Sequence, residues 1–198
     1  ARVLTVVAAL DTGSSFEGMG ASREVFFSAL AEPALLIGLA ALARVTGNFS
    51  LSVIYAQLTP ELWIACGPLL LVLIVSLFVI FLAENARIPV DDPNTHLELT
   101  MIHEVMVLDH SGPDFAFIAY GAALKLWTLG GLLVGLALPI RTTNLWVDSL
   151  CFLFGMFGLA VAVGVVESIM ARLRLVRVPQ MLVGAGALSV LAIFLSLR

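Results

Sequence analysis

Apolar residues in this chain come in long blocks separated by short polar intervals. A helix that crosses a bilayer needs about 20 largely apolar residues. Four blocks meet that length directly: Leu62 to Ala83, Phe115 to Pro139, Leu145 to Met170 and Gln180 to Leu197. A fifth, Val25 to Val45, is apolar apart from Glu32 and carries Pro33; it also reads as a span. The opening run from Arg2 to Leu10 is only about half a span. It lacks an initiator Met, a basic leader and a clear cleavage site, so a signal peptide fits poorly. The final half of a transmembrane helix fits better, and the expectation is the later part of a longer protein.

The interval from 84 to 114 breaks the pattern. Asp92 followed by Pro93 has the form of a helix start, an N-cap with proline in the first turn. Leu97, Met101, Val105 and Leu108 then recur at i, i+4, i+8 and i+11, and Ser111-Gly112-Pro113 closes the segment. This spacing predicts an amphipathic helix of about five turns, lying on the membrane face or folded back into the bundle. The predicted fold is thus all-α: a polytopic membrane helix bundle, one domain over 1–198, with about five complete spans and the end of another.

Composition narrows the picture. Hydrophobic residues make up 61% and charged residues 12%, against roughly 25% charged in a soluble domain, and the mean hydropathy is +1.08. One soluble core of 198 residues cannot hide that much apolar surface, which excludes a water-soluble fold. Ten Lys+Arg against fourteen Asp+Glu leave no basic stripe for a nucleic acid. Cys66 and Cys151 are too few for an iron–sulfur cluster and match no zinc spacing, so any electron carriers lie in other chains. Alternating the spans puts Arg23, Arg87, Arg172, Arg174 and Arg177 on one side and Arg44, Arg141 and Arg198 on the other. By the positive-inside rule, the 84–114 and 171–178 loops face the cytoplasm.

The charged positions carry the candidate chemistry. The 84–114 loop holds Glu84, Asp91, Asp92, Glu98, Glu104, Asp109 and Asp114, with Arg87 as its one basic residue. His96, His103 and His110 recur every seventh position, about 10.5 Å apart on a helix. That is too far for one metal ion, and no zincin spacing follows His103-Glu104; capping or hydrogen bonding to neighbours is the expected role. Glu32, Lys125, Asp148 and Glu167 fall inside or near the ends of apolar runs. A charge at mid-bilayer costs about 2.5–3.5 kcal/mol on insertion scales, so such residues usually face a polar interior. Asp148 and Glu167 can equally reach the interface. Glu32 and Lys125 lie deeper and are expected on a buried polar path, where an acid can exchange protons.

The run Ala83-Glu84-Asn85-Ala86-Arg87-Ile88-Pro89-Val90-Asp91 resembles the A-E-x-x-R-x-P-F-D loop of subunit 1 of respiratory complex I, the H subunit in bacteria. Its continuation, Asp92-Pro93-Asn94-Thr95-His96-Leu97-Glu98-Leu99-Thr100-Met101-Ile102-His103-Glu104, looks closer to one branch of that family. That branch is the membrane subunit of formate hydrogenlyase and other energy-converting group 4 nickel–iron hydrogenases. Leu108-Asp109-His110-Ser111-Gly112-Pro113-Asp114, Leu10-Asp11-Thr12-Gly13 and Gly18-Met19-Gly20-Ala21-Ser22-Arg23-Glu24 point the same way. Members of the family are longer, with about eight spans, so this chain would be roughly their C-terminal two-thirds.

The resemblance implies roles. Glu32 falls on the glutamate of the family's S-Y-E helix; Glu84, Arg87, Pro89 and Asp91 fall on the loop motif, and Glu98 on the glutamate preceding its Leu. These belong to the floor of a quinone chamber and the acidic entrance of a proton route. Glu32, Glu84, Glu98, Lys125, Asp148 and Glu167 are therefore the expected proton path. Arg23, Glu24, Glu84, Arg87, Pro89, Asp91, Asp92 and Glu104 are the expected docking loop for a peripheral arm. Arg87, beside Glu84 and close to a proline, is expected to be paired and partly buried. No catalytic or metal-ligating residue is expected in the chain. The family's acidic run after the loop proline is Asn94-Thr95-His96 here, and its R-x-R-x-D-Q becomes Leu175-Val176-Arg177-Val178-Pro179-Gln180.

These departures weaken quinone binding and leave the coupling role. The expected function is a non-catalytic membrane subunit of a complex I-like, hydrogenase-type machine in a prokaryotic cytoplasmic membrane, coupling electron transfer to proton or sodium translocation. Its expected partners are peripheral iron–sulfur and large subunits, antiporter-like membrane subunits and lipid; no cofactor is expected in this chain. One rival is the quinone-chamber subunit of an NADH:quinone oxidoreductase, for which quinone would be the ligand. The other is a stand-alone ion transporter, against which the acidic loop and the absence of a visible inverted repeat both count.

Overall fold

A computed structural model of the chain describes residues 2–91, 102, 104–139, 144–171 and 173–197. Asp92, His96, Leu97, Glu98, Met101, His103 and the side chain of Glu104 lie outside the described set, and so does most of the helix expected after Asp92. The described residues form helices without a strand: α1 (Arg2–Asp11), α2 (Ser15–Thr46), α3 (Leu51–Gln57), α4 (Pro60–Glu84), α5 (Pro113–Ala137), α6 (Leu145–Ile169) and α7 (Val178–Leu195). Short 3-10 turns cover Glu104–Val107 and Leu175–Arg177, the second leading directly into α7. Five helices, α2, α4, α5, α6 and α7 with its leading turn, are long and apolar enough to cross a membrane.

Helix ends follow local chemistry. Gly13, at φ +67°, supplies the left-handed turn that separates α1 from α2. Gly47 ends α2 in the same conformation and returns its N–H to Ala43 O. Thr59 caps α4 by accepting from Leu62 N, with Pro60 at the first position. Inside α4, Cys66 leaves helical geometry two residues before Pro68, so this helix is kinked near its start. Asn144 caps α6 by accepting from Trp146 N.

One expected bound is corrected, and one short helix was not foreseen. Helix α2 begins at Ser15, not Val25; Glu17, Arg23 and Glu24 lower the hydropathy of its first turns without opposing helix formation. Helix α3 is too short to show a period, and Tyr55 fixes it by donating to Leu132 O of α5 at 2.7 Å.

The centre of the bundle is α2, α4 and α7, which pack mutually. Ser76 of α4 donates to Ala185 O of α7 at 2.7 Å and lies 2.8 Å from Ser189 Oγ. Both serines are buried, and Gly38 of α2 closes the same point, where an added Cβ would come 3.2 Å from Leu73. Small residues and hydroxyls of this kind let helices approach closely in lipid. Helix α5 packs on α4, and α6 packs on α5 as the outermost layer, with Phe154 and Phe157 more than two-thirds exposed (73% and 70%).

The described end of the 84–114 loop sits on α2. Of the expected stripe, Leu97 and Met101 lie outside the described residues. Ile102, Val105 and Met106 are buried while Leu108 is 52% exposed, so Val105 faces inward and Leu108 does not. Gly20 is the reason: a Cβ there would stand 3.0 Å from Ile102 O and 3.0 Å from Met106 Cγ. The loop chain lies directly on the α2 backbone, and the contact selects residues 102, 105 and 106.

Candidate functional site

At its C-terminal end α4 stops abruptly. Asn85 caps it, its Nδ2 donating to Phe81 O at 2.8 Å, and Ala86 takes a left-handed conformation (φ 49°). Arg87 N still reaches back to Leu82 O at 2.9 Å, and Val90 N donates to Arg87 O at 2.8 Å. The Ile88–Pro89 peptide is cis. Pro89 O accepts from Leu173 N at 2.9 Å, which ties this turn to the connection between α6 and α7.

This turn places Glu84, Arg87 and Asp91 on one cavity of about 460 Å³, with Glu24 of α2 and Lys125 of α5 on the other walls. Glu24 and Glu84 are each 8% exposed. Lys125 stands twelve residues into α5, about 18 Å along its axis and near mid-bilayer. A lysine at that depth requires a polar surrounding, and the cavity provides it. A second cavity of about 420 Å³ shares Glu24, Ala122 and Lys125 and adds His110, Asp114 and Thr5. A third of about 240 Å³ shares Arg87 and Leu126 with the first and ends at Glu167.

Arg87 Nη1 pairs with Glu167 Oε1 at 3.6 Å, with the two side chains 38% and 27% exposed. This partner lies on another helix, 80 positions along the chain, and no local pattern points to it. Asp91 is 4% exposed and its Oδ2 accepts from Ile102 N at 2.9 Å. It therefore braces the loop from inside. Glu32 lies on the exposed side of α2 and lines none of the three cavities. Asp148 lies half-buried in the first turn of α6, where the helix dipole favours a carboxylate. It is nineteen residues from Glu167 on the same helix, about 28 Å away, so the structure does not bring it to the site. Arg23 is half-buried beside Met19, with Nη2 3.3 Å from Sδ. Among the described residues no group of three or more His, Cys, Asp or Glu has the arrangement of a metal site.

A profile described as NADH dehydrogenase, the complex I subunit 1 type, matches residues 1–197. The chain belongs to the NADH dehydrogenase family. This NADH dehydrogenase-family chain is 32% identical over 187 residues to formate hydrogenlyase subunit 4 of Escherichia coli (strain K12), covering 88% of the chain and 58% of that protein. It is 33% identical over 138 residues to hydrogenase-4 component C of the same organism, covering 70% of the chain and 42% of that protein. The chain thus spans about half the length of the curated relatives it matches. No solved structure matches it.

One buried acid of the family chain escaped the sequence reading. Glu17 is 0% exposed; its Oε1 accepts from Asp109 N at 2.9 Å, and Thr12 Oγ1 donates to its other oxygen. It ties α1, α2 and the end of the 84–114 loop together. The available signal was an acid three residues before the glycine at which the loop crosses, but only with α2 already extended to Ser15.

Proposed function

We propose that this chain is a non-catalytic membrane subunit of a hydrogenase-type, complex I-like assembly that couples electron transfer in a peripheral arm to proton or sodium translocation. The observation that carries this reading is the convergence of Glu24, Glu84, Arg87, Asp91 and Lys125 on one cavity beside the 84–114 loop. Charges of both signs at this depth are costly unless they serve a polar path. The names of the two relatives favour the hydrogenase type over a quinone-reducing one.

In this reading the peripheral iron–sulfur and large subunits bind at the loop face, and antiporter-like membrane subunits carry the translocation further. The redox centres belong to the arm. Motion of the loop changes the surroundings of Glu84 and Arg87, and so biases protonation inside the bundle. The loop face is the cytoplasmic side of a prokaryotic inner membrane.

The test is reconstitution of the purified complex with Glu84→Gln, which keeps the side chain's shape and removes its ability to ionise. Electron transfer should persist while ion translocation falls severalfold. Normal translocation by that variant would sink the reading. The same preparation identifies the partners, and a chain that purifies alone and transports ions unaided would replace this reading with a stand-alone transporter.

A further inference from the structure

A fourth cavity has a different character. It measures about 690 Å³ and lies between α4, α5 and α6. Leu133, Val134 and Leu159 form its buried floor, and Phe154, Gly158 and Ala162 its exposed rim. Phe78 of α4 stands at the far wall. Cys151 supplies the one polar side-chain atom of the lining, and a thiol is a weak hydrogen-bonding group.

Two glycines of α6 shape this groove. At Gly155 an added Cβ would stand 2.5 Å from Val134 Cγ1 and 2.6 Å from Leu138 Cδ1, so α6 lies directly on α5 there. One turn further, an added Cβ at Gly158 would meet nothing within 4 Å. No neighbour requires a glycine at 158; its effect is to leave the groove open.

Position and size decide what fills the space. Trp146, in the first turn of α6, is 80% exposed, and an exposed tryptophan at the end of a span sits at headgroup level. Counted along α6, Cys151 lies about 7.5 Å deeper and Ala162 about 24 Å deeper. The hydrocarbon layer is about 30 Å thick, so the groove lies lengthwise within it. Water needs about two to four polar partners, and a lone thiol does not supply them. A helix of another chain is about 10–12 Å across, so a space of about 690 Å³ would take less than two of its turns. A flexible hydrocarbon chain lying along the membrane normal fits the shape, and it restores to the lining the dispersion contacts that an empty space forfeits.

We propose that the groove between α4, α5 and α6 binds one acyl chain of a membrane phospholipid, its headgroup at the level of Trp146 and its tail against Phe78 and Gly158. Of the charged cavities it touches only the smallest, at Leu159. Its occupancy does not depend on the coupling role.

The test uses the whole complex in phosphatidylethanolamine vesicles doped with a phospholipid that carries a diazirine midway along one acyl chain. After illumination, peptide mass spectrometry locates the adducts. Phe78 should be labelled, although α6 stands beside it. In Gly158→Leu the new side chain occupies the groove, and labelling at Phe78 should fall severalfold while adducts elsewhere on the complex keep their level. Ala162→Leu gives the same comparison where the first variant does not assemble. An unlabelled Phe78 in the wild-type complex, as a neighbouring chain seated there would produce, overturns the proposal. So does labelling that the assembled variant leaves undiminished. An equimolar polyprenyl alcohol should leave the adducts at Phe78 unchanged; their loss would assign the groove to isoprenoid chains and overturn the phospholipid.

Discussion

Asp91 lies 4% exposed against the amide of Ile102, so its carboxylate is engaged inside the chain. Asp91→Ala leaves that amide without its acceptor and should cost about 1–3 kcal/mol of stability. Asp91→Asn keeps an acceptor and should cost less. Thermal unfolding of the two variants in detergent checks the ranking. The Arg87–Glu167 pair behaves differently, because its partners are 38% and 27% exposed. Such pairs contribute about 0–1 kcal/mol, so Glu167→Gln should leave the melting temperature nearly unchanged. A large loss of stability would show that the pair is structural. That Arg87 is paired and partly buried was legible from its neighbours in the chain; its partner, on α6, was not. The facing of Glu32 was illegible for another reason. Most of α2 around it is apolar on all sides, so nothing in the pattern fixes which face turns inward.

Among the elements, α2 carries two close approaches that answer substitution differently. At Gly20 an added Cβ meets a backbone oxygen, Ile102 O, at 3.0 Å; at Gly38 it meets the end of Leu73, a flexible side chain, at 3.2 Å. Gly20→Ala should therefore displace the loop segment at about 1–3 kcal/mol, seen as faster proteolysis between 84 and 114. Gly38→Ala should leave that cleavage rate unchanged. Ser76→Ala removes the α4–α7 hydrogen bonds and should cost about 0.6 kcal/mol, the average for such bonds in a bilayer. The spans were legible because their length and apolarity are dictated by the membrane. Helix α4 was expected at Leu62 to Ala83 and runs from Pro60 to Glu84. The polar first turns of α2 and the short α3 were not legible, since both are set by tertiary contacts such as Gly20 against Ile102 and Tyr55 against Leu132.

At the scale of the molecule, Glu84, Arg87 and Glu167 gather where α4 and α6 end, joined to the start of α7 through Pro89 and Leu173. The connection between α5 and α6 lies at the other end of those helices, with Asp148 beside it. A single cysteine replacing Arg174 should therefore react with a membrane-impermeant reagent from one side, and one replacing Asn144 from the other. Reaction of both from the same side would contradict the five-span topology. The common end was legible in the density of charges along the loop; the partition of those charges among three cavities with shared lining residues depends on helix rotations that the sequence does not state.

Helix α6 has the thinnest support of the spans. Within the chain it packs chiefly on α5, only Leu159 and Val163 are buried along it, and one ion pair fastens its C-terminal end. Its remaining support comes from whatever solvates its outer face, and for a membrane span that includes annular lipid. With so little packing to fix it, the helix that carries Glu167 should respond to bilayer thickness more than the other spans do. Stripping lipid should loosen Arg87 from Glu167 while α2, α4 and α7 stay packed. The separation of positions 87 and 167 would then grow on detergent extraction, and returning the protein to lipid of native chain length would restore it.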